Sequence, residues 1–261
     1  MSIKKHLQNI QEVIPEHWLY QLQDIHSSIL SSWILGWGSK PLKFTGKSAM
    51  VFSPHQDDET FGCGGMIALK RKQGINVAVT FLTDGRGSSD SQVNNQNKII
   101  QIRKQESLTA LNILGVEPEN IHFLNKLDGS LRELTAEEKQ ETINEVVELL
   151  KHYQPGEVYV PHYKDCHRDH EATYDLVKTA IAQAGITLDI LQYPIWLFWR
   201  APLFILLKLS DIRAAYCLDI NAVQPEKNKA IAAYPSQTEN LPKGFIKQFL
   251  ISTEIFFKDK Q

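Results

Sequence analysis

The residues of this chain best suited to catalysis are histidines and carboxylates, and they fall into two short polar clusters. The first cluster, Ser53 to Glu59, reads SPHQDDE, and the second, Pro161 to Glu171, reads PHYKDCHRDHE. One histidine beside one aspartate is usually only a hydrogen-bonded pair. Two such clusters that meet in space would offer the imidazole nitrogens and carboxylate oxygens that zinc takes in catalytic sites. We therefore interpret them as parts of one metal site.

The residue types in these clusters match the parts that zinc-dependent hydrolysis needs. A catalytic zinc ion takes three protein ligands and keeps a fourth position for water, whose pKa falls to about 7. A carboxylate that stays free of the metal can take the proton of this water, and a remaining histidine can stabilise an oxyanion or protonate a leaving amine. The clusters contain candidates for all of these parts: His55, Asp57, Asp58, His167 and His170.

Strands and helices that could position the clusters alternate from residue 48 onward. The apolar runs SAMVFS, NVAVTFLT, NIHFL, EVYVPH and AAYCLDI predict strands. Helical patterns cover residues 64–74, 95–114, 135–152 and 169–184, and another helix is predicted to begin near Pro225. This alternation predicts an α/β protein with a three-layer Rossmann-like fold, in which helices flank a mostly parallel sheet. Both clusters follow predicted strands, and ligands of such folds bind at the carboxyl ends of the strands.

Several motifs in order along the chain resemble one known family. PHQDDE followed by TFGCGG, then TDG, RKQESLTALNILG and HRDHEAT are similar to the signature series of the PIG-L/LmbE-like zinc-dependent N-deacetylases. EKNKAIAAYPSQ, from Glu226 to Gln237, resembles the closing element of that family, so the resemblance extends from about Ala49 to Gln237. It implies an LmbE-like fold and hydrolysis of the acetamide of an N-acetylglucosamine-type sugar conjugate to a free amine and acetate.

The resemblance also implies roles for individual residues. One Zn²⁺ ion per chain would be bound by His55, Asp58 and His170, although other divalent metals could replace zinc. Asp57 would act as the general base, and His167 would polarise the tetrahedral intermediate. Asp169 would orient a histidine from behind. Either Asp57 or His167 could protonate the leaving amine.

Other residues of the shared motifs leave two interpretations open. Arg103 and Glu106 either form an ion pair that joins helix and sheet or contact substrate. Asp84 and Arg86 either bind sugar or scaffold their loop. Gln56 stands where the family commonly has proline, and we expect little effect because that side chain need not touch the metal.

We interpret residues 1–261 as a single deacetylase domain with an N-terminal helical extension, residues 1–45, and an apolar insertion near residues 190–209. Within the extension, apolar residues at three-or-four spacing predict an amphipathic helix over residues 17–37 that packs on the core. In the insertion, Arg200 separates charge-free runs of ten and seven residues. Both runs are shorter than the roughly 20 apolar residues that a membrane-spanning helix needs, so we do not expect a transmembrane helix here. The simpler interpretation of this stretch is a buried core or a subunit contact. The other is a patch that binds at a membrane interface or an apolar wall of the substrate site.

Composition limits the classes of binding partner and the cellular compartment that we expect. A formal charge of −2, from 28 basic and 30 acidic residues, argues against binding to nucleic acid or to an anionic membrane surface. Three cysteines without a CxxC pair and an N-terminus without an apolar signal region predict a cytoplasmic protein, with peripheral membrane contact left open. The expected partner is a small-molecule sugar conjugate, lipid-linked or not, and a homo-oligomer stays open.

Two other functions compete with N-deacetylation. One is a zinc amidohydrolase of another acylated amine. The other is a sugar-binding protein that retains the metal without turnover. Asp57 and His167 argue against the second, since neither is needed merely to hold zinc.

Overall fold

The computed structural model of the protein describes residues 15–87, 93–201 and 207–259. Its strands form one sheet in the order β1-β7-β8-β6-β5-β2-β3-β4. The strands are β1 (Ser39–Pro41), β2 (Ala49–Ser53), β3 (Val77–Thr83), β4 (Ile121–Lys126), β5 (Glu157–Pro161), β6 (Asp189–Tyr193), β7 (Ala215–Asp219) and β8 (Thr253–Lys258). β8 runs antiparallel to β6 and β7, and the other neighbours pair in parallel. The mostly parallel α/β fold is confirmed.

Helices cover both faces of this sheet. Within the described residues they are α1 (Glu16–Trp33), α2 (Asp58–Lys72), α3 (Val93–Ile113), α4 (Ala136–Tyr153), α5 (Arg168–Ala184), α6 (Leu197–Arg200), α7 (Leu209–Ile212), α8 (Gln224–Ala232), α9 (Pro235–Thr238) and α10 (Lys243–Lys247). Side chains of β2 alternate between the two faces: Val51 joins the core that includes α2, whereas Met50 and Phe52 join the core that includes α4 and α5. Burial of both faces explains why these strands are continuous apolar runs in the sequence.

The connections around β2 create the crevice in which a site can form. From β2 the chain proceeds outward to β3 and β4 on one side, whereas β5 and β6 lie on the other side. β2 therefore borders the point where the strand order reverses, and loops leaving the carboxyl ends of β2 and β5 diverge there. Both polar clusters of the sequence leave strands at this point.

Helix α2 begins earlier than its sequence pattern predicts. It starts at Asp58 rather than near Gly64, so part of the first polar cluster forms its first turn. The helix also lies unusually close to β6, because a Cβ atom at Gly62 would stand 2.3 Å from the ring of Tyr193. Glycine at this position therefore allows α2 to approach the sheet directly beneath the site.

Strands β1, β6 and β8 were not predicted from the sequence. The first residues of the apolar stretch 190–209 belong to β6, an internal strand of the sheet, and thus form core rather than an added surface element. Leu197, Phe198 and Trp199 further along are buried as well. Residues 202–206 of the same stretch, like residues 1–14 of the N-terminal extension, lie outside the described part of the chain.

The expected core packing of the N-terminal helix holds for only some of its apolar residues. Leu30 and Ile34 are buried, but Trp18, Leu22, Ile25 and Ile29 are each between 55% and 64% exposed. These four recur at spacings of four, three and four, so they form one apolar stripe on the outer face of α1. Among the described residues, no helix is both long and apolar enough to cross a bilayer.

Candidate active site

The two polar clusters meet at the carboxyl edge of the sheet, with Asp58 between two histidines. His55 follows β2, Asp58 opens α2, and His170 lies in the first turn of α5. Nδ1 of His55 lies 3.0 Å from Oδ2 of Asp58, and Nε2 of His170 lies 3.2 Å from the same oxygen. Ligands of a tetrahedral zinc ion, at bond lengths of 2.0–2.1 Å, stand roughly 3.3 Å apart. Asp58 therefore stands at the spacing of a metal ligand from each of the two histidines.

The two ring nitrogens of His170 face Asp165 and Asp58. Nδ1 lies 2.7 Å from Oδ2 of Asp165, and in the neutral ring that binds a metal this contact would keep the proton on Nδ1 and leave the lone pair on Nε2. His170 is fully buried, and Nε2 has no hydrogen-bond partner among the described residues. A buried nitrogen of this kind costs free energy unless something binds it. A metal ion fits this requirement.

Two aspartates contact Nε2 of His55, the ring nitrogen that does not face Asp58. Its Nε2 lies 3.2 Å from Oδ2 of Asp169 and 3.1 Å from Oδ1 of Asp128. Asp169 is fully buried and also accepts the backbone N–H groups of Gly129, at 2.7 Å, and Leu131, at 3.1 Å. The histidine that Asp169 contacts is thus the distant His55, and Asp169 joins the loop after β4 to the start of α5.

Negative charge dominates the site and raises the pKa of both histidines. Five aspartates line it: Asp57, Asp58, Asp128, Asp165 and Asp169. Burial lowers the pKa of His55, but hydrogen bonds to three of these carboxylates outweigh it and raise that pKa well above its usual value. Burial acts in the same direction on His170, yet Asp58 and Asp165 raise its pKa to about 9. The site therefore attracts positive charge, which a divalent cation would supply.

Asp57 has a strained backbone and an unusually basic carboxylate. Its φ of 149° lies in a region that residues with side chains rarely adopt. Burial, followed by the adjacent charge of Asp58, raises the pKa of Asp57 well above its usual range, although nearby Arg103 opposes this. Strained residues cluster at functional sites. A carboxylate with this raised pKa takes up a proton more readily than an exposed one.

His167 stands next to the ligand set. Its ring centroid is 5.0 Å from that of His55 and 4.6 Å from that of His170. The ligand atoms of these three histidines lie within 4.8 Å of one another, as do those of His55, Asp128 and Asp169. Burial, then the charges of His170 and His55, lowers the pKa of His167 to about 3, so the side chain is neutral at pH 7.

His162, which shares a loop with these histidines, faces elsewhere. It packs on Phe257, with ring centroids 4.7 Å apart, and its Nδ1 accepts the backbone N–H of Lys164. Burial lowers its pKa to about 3. This histidine belongs to the core and not to the site.

Arg103 and Glu106, for which two interpretations were open, have different surroundings in the structure. Glu106 accepts hydrogen bonds from the backbone N–H and the hydroxyl of Ser236, at 2.9 Å and 2.6 Å. Arg103 points toward the site instead, where its Nη1 lies 4.0 Å from Oδ2 of Asp128. Nε of Arg103 is buried and has no hydrogen-bond partner among the described residues. Arg103 thus lies beside the site, whereas Glu106 joins α3 to the chain near α9.

In the loop after β3, Asp84 contacts both Arg86 and the loop after β4. Nε of Arg86 donates to Oδ2 of Asp84 at 2.8 Å, and Oδ1 of Asp84 accepts the backbone N–H of Asp128 at 3.4 Å. Gln56 turns away from the ligand set and donates to the carbonyl of Thr83 at 2.9 Å. Gly85, with φ +67°, allows this arrangement, because a Cβ atom there would stand 1.9 Å from Oε1 of Gln56.

Sequence reasoning missed two aspartates that contact the histidines, Asp128 and Asp165. Asp165 lies inside the second polar cluster, five residues before His170. Asp128 follows the NIHFL strand, at the same edge of the sheet as both clusters. A carboxylate after a parallel strand was the available signal in each case.

Comparison with known proteins places the chain in one family. The model of the PIG-L family, described as GlcNAc-PI de-N-acetylase, matches residues 50–181, just over half of the chain. An uncharacterized deacetylase of Escherichia coli is 29% identical over 133 residues, which cover 49% of this chain and 64% of that protein, just under two thirds. A probable N-acetyl-α-D-glucosaminyl L-malate deacetylase of Bacillus subtilis is 27% identical over 74% of this chain and 84% of its own length.

The similarity extends to a protein with another reaction and to solved structures. A 4-oxalmesaconate hydratase of Pseudomonas putida is 28% identical over 53% of this chain and 54% of its own length. The structure of N,N'-diacetylchitobiose deacetylase from Pyrococcus horikoshii superimposes with a TM-score of 0.63 at 21% identity, covering 88% of this chain and 90% of that one. At this level of identity the structural likeness establishes the shared fold.

Proposed function

The chain belongs to the PIG-L family, and on that premise we propose that it is a zinc-dependent N-deacetylase, which hydrolyses the acetamide of an N-acetylglucosamine-type sugar conjugate to a free amine and acetate. The observation that carries the proposal is the convergence of His55 Nδ1 and His170 Nε2 on one oxygen of Asp58. The family and the Bacillus relative, a probable sugar-conjugate deacetylase, support the substrate class.

His55, Asp58 and His170 would hold the zinc ion. The unpartnered Nε2 of His170 and the excess of carboxylates both fit a cation bound there. When bound, zinc would polarise the amide carbonyl and lower the pKa of a water molecule. His167 would stay outside the ligand set, and Asp128, Asp165 and Asp169 would fix the orientation of the ligands.

Asp57 would take the proton of the attacking water. Its raised pKa makes it a stronger base than an ordinary carboxylate, and general base catalysis is most effective when that pKa approaches the working pH. The same raised pKa allows Asp57 to hold the proton and deliver it to the nitrogen of the departing amine. An amide nitrogen leaves poorly unless it is protonated, so this second transfer is required.

His167 would assist as a neutral hydrogen-bond donor. Burial is the largest cause of its lowered pKa, so the ring carries a single N–H at pH 7. That N–H can bond to the oxygen on which negative charge develops, a contribution worth about 2–4 kcal/mol where such donors have been removed. This assigns the protonation of the amine to Asp57 rather than to His167.

The test is acetate release by the purified, zinc-loaded protein. N-acetylglucosamine conjugates in free, nucleotide-linked, lipid-linked and glycosidic forms should include at least one substrate, with the new amine and acetate in equal amounts. Asp57→Asn should retain zinc while turnover falls by about 10² or more, and His167→Ala should retain zinc while turnover falls by about 10² to 10³. Asp175→Asn, at an exposed position on α5, is the matched control and should behave like the unmodified protein.

Other outcomes separate the competing functions. Release of a different acid from other N-acyl amines would favour an amidohydrolase of another acylated amine. Sugar binding without turnover would favour a non-catalytic protein, and hydration of an unsaturated dicarboxylate would favour the reaction named for the Pseudomonas relative. Loss of zinc from His167→Ala would mean that His167 is a ligand.

A further inference from the structure

Both backbone polar groups of Asp57 form hydrogen bonds, although the backbone conformation is strained. Its carbonyl accepts the N–H groups of Thr60 and Phe61, both at 3.0 Å, which begins helix α2. Its own N–H donates to Oε2 of Glu59 at 3.1 Å. Glu59, the second residue of the helix, therefore reaches back to the residue that precedes the helix.

The side chain of Glu59 accepts hydrogen bonds from a neighbouring residue and from a distant part of the chain. Its Oε1 accepts the hydroxyl of Thr60 at 2.6 Å and, through a short hydrogen bond, the hydroxyl of Tyr234. Glu59 and Tyr234 are both fully buried, and 175 residues separate them in the sequence. Burying a carboxylate is costly unless hydrogen bonds compensate. Tyr234, located between α8 and α9, supplies part of this compensation beside Thr60 and the N–H of Asp57.

A residue at φ 149° stays there only if its surroundings hold it, at a cost of about 1–3 kcal/mol. Relaxation of this dihedral would rotate the Asp57 carboxylate, which must lie within hydrogen-bond reach of the water it activates. The bond from Asp57 N–H to Glu59 acts on this dihedral directly. The hydroxyl of Tyr234 in turn fixes the carboxylate that accepts this bond.

We propose that Glu59 and Tyr234 are positioning residues that hold Asp57 in its strained, active conformation. This inference rests on the proposed function insofar as Asp57 is the general base. Neither side chain would touch substrate or metal. Their effect is on kcat, because a misplaced base slows proton transfer without weakening the binding of substrate or zinc.

The experiment compares four variants: Glu59→Ala, Glu59→Gln, Tyr234→Phe and the control Tyr159→Phe. Glutamine can keep the Asp57 bond, because its oxygen accepts that N–H while its NH₂ group faces the two hydroxyls. Tyr159 is the matched control, since it is also buried and its hydroxyl donates to a buried glutamate, Glu157, at 3.0 Å. Glu157 is the first residue of β5 and lies at the opposite edge of the sheet from the site.

We expect Glu59→Ala to lower kcat by about 10-fold or more and Tyr234→Phe by several-fold, with KM within about 2-fold and zinc content unchanged. Glu59→Gln should restore most of the loss, and Tyr159→Phe should change nothing. The second measurement is amide hydrogen exchange at Asp57 by NMR. Exchange should accelerate about 10-fold in Glu59→Ala, and measurably in Tyr234→Phe, relative to the control.

The exchange measurement decides the inference even if no substrate is found. If the unmodified protein turns over nothing, the proposed function fails, while faster exchange at Asp57 in Tyr234→Phe would still support the positioning role. Exchange at Asp57 equal to that of the Tyr159→Phe control would overturn it. Should Glu59→Ala not fold, Tyr234→Phe, which removes one oxygen atom, carries the test alone. A fall of kcat with equal loss of zinc would also overturn the inference.

Discussion

Replacement of Asp165 by asparagine tests how the site prepares His170 for a metal ion. Oδ2 of Asp165 accepts Nδ1–H of His170 at 2.7 Å, and Oδ1 accepts the backbone N–H groups of Ile195 and Leu197, both at 2.9 Å. The N–H of Trp196 lies between the two oxygens, at 3.1 Å and 3.0 Å. All partners of this buried carboxylate are therefore donors.

Asparagine cannot serve these donors on both sides. If its oxygen faces the backbone, its NH₂ group faces His170, and Nδ1 must become an acceptor. The ring proton then moves to Nε2, the nitrogen that would bind zinc. If the side chain flips instead, its NH₂ group meets the N–H groups of Ile195 and Leu197, which lose their acceptor. Changes behind a ligand typically lower metal affinity 10- to 100-fold, or about 1.4–2.8 kcal/mol.

The assay is a competitive zinc titration against a chromophoric chelator. Asp211→Asn is the matched control, since Asp211 also accepts a backbone N–H, that of Lys208, and its Oδ2 contacts Lys164 rather than a proposed ligand. We expect weaker zinc binding by Asp165→Asn and unchanged binding by the control. A folded Asp165→Asn protein with unchanged zinc affinity would refute the reasoning that Asp165 sets the tautomer of His170.

Three further predictions follow from the charges and exposures described above. Carboxylates raise the pKa of both His55 and His170, so zinc binding should displace protons from these rings. Calorimetry in buffers of different ionisation enthalpy measures the release, and no release would contradict the ligand assignment. In the metal-free protein, the pKa of His170 is about 9 when folded against 6.5 when unfolded, so its stabilisation is full below pH 6.5 and lost as the pH rises through 9. Urea unfolding at pH 6.5 and 9.5 should show this loss, on the order of 1–3 kcal/mol, and a flat profile would count against it. On helix α1, Ile25 is 59% exposed, so Ile25→Gln should change the free energy of unfolding by less than about 0.5 kcal/mol. Leu30 is 3% exposed, so Leu30→Ala should lower the free energy of unfolding by about 2–5 kcal/mol. Equal effects in urea unfolding would mean that the apolar stripe of α1 is covered in solution.

The periodicity of apolar residues and the residue types were sufficient to predict five of the eight strands and the sheet edge where both polar clusters lie. A parallel strand buried on both faces requires a continuous apolar run, so β2, β3 and β5 were visible in the sequence, and the polar clusters after them predicted the functional edge. The family resemblance was confirmed by the match over residues 50–181. The roles of His55, Asp57, Asp58, His167, Asp169 and His170 stay predictions, although the structure brings all six to one edge.

Tertiary structure alone decided which partners hold these residues. Asp169 contacts His55 across 114 residues of sequence, Asp165 meets backbone groups some 30 residues further on, and Tyr234 reaches Glu59 across 175. None of these pairings follows from local periodicity, because loops that leave different strands meet only after the strands have aligned in the sheet. The outer stripe of α1 illustrates the same limit: an amphipathic pattern shows that a helix has an apolar face, while the packing of the other elements determines whether that face is buried.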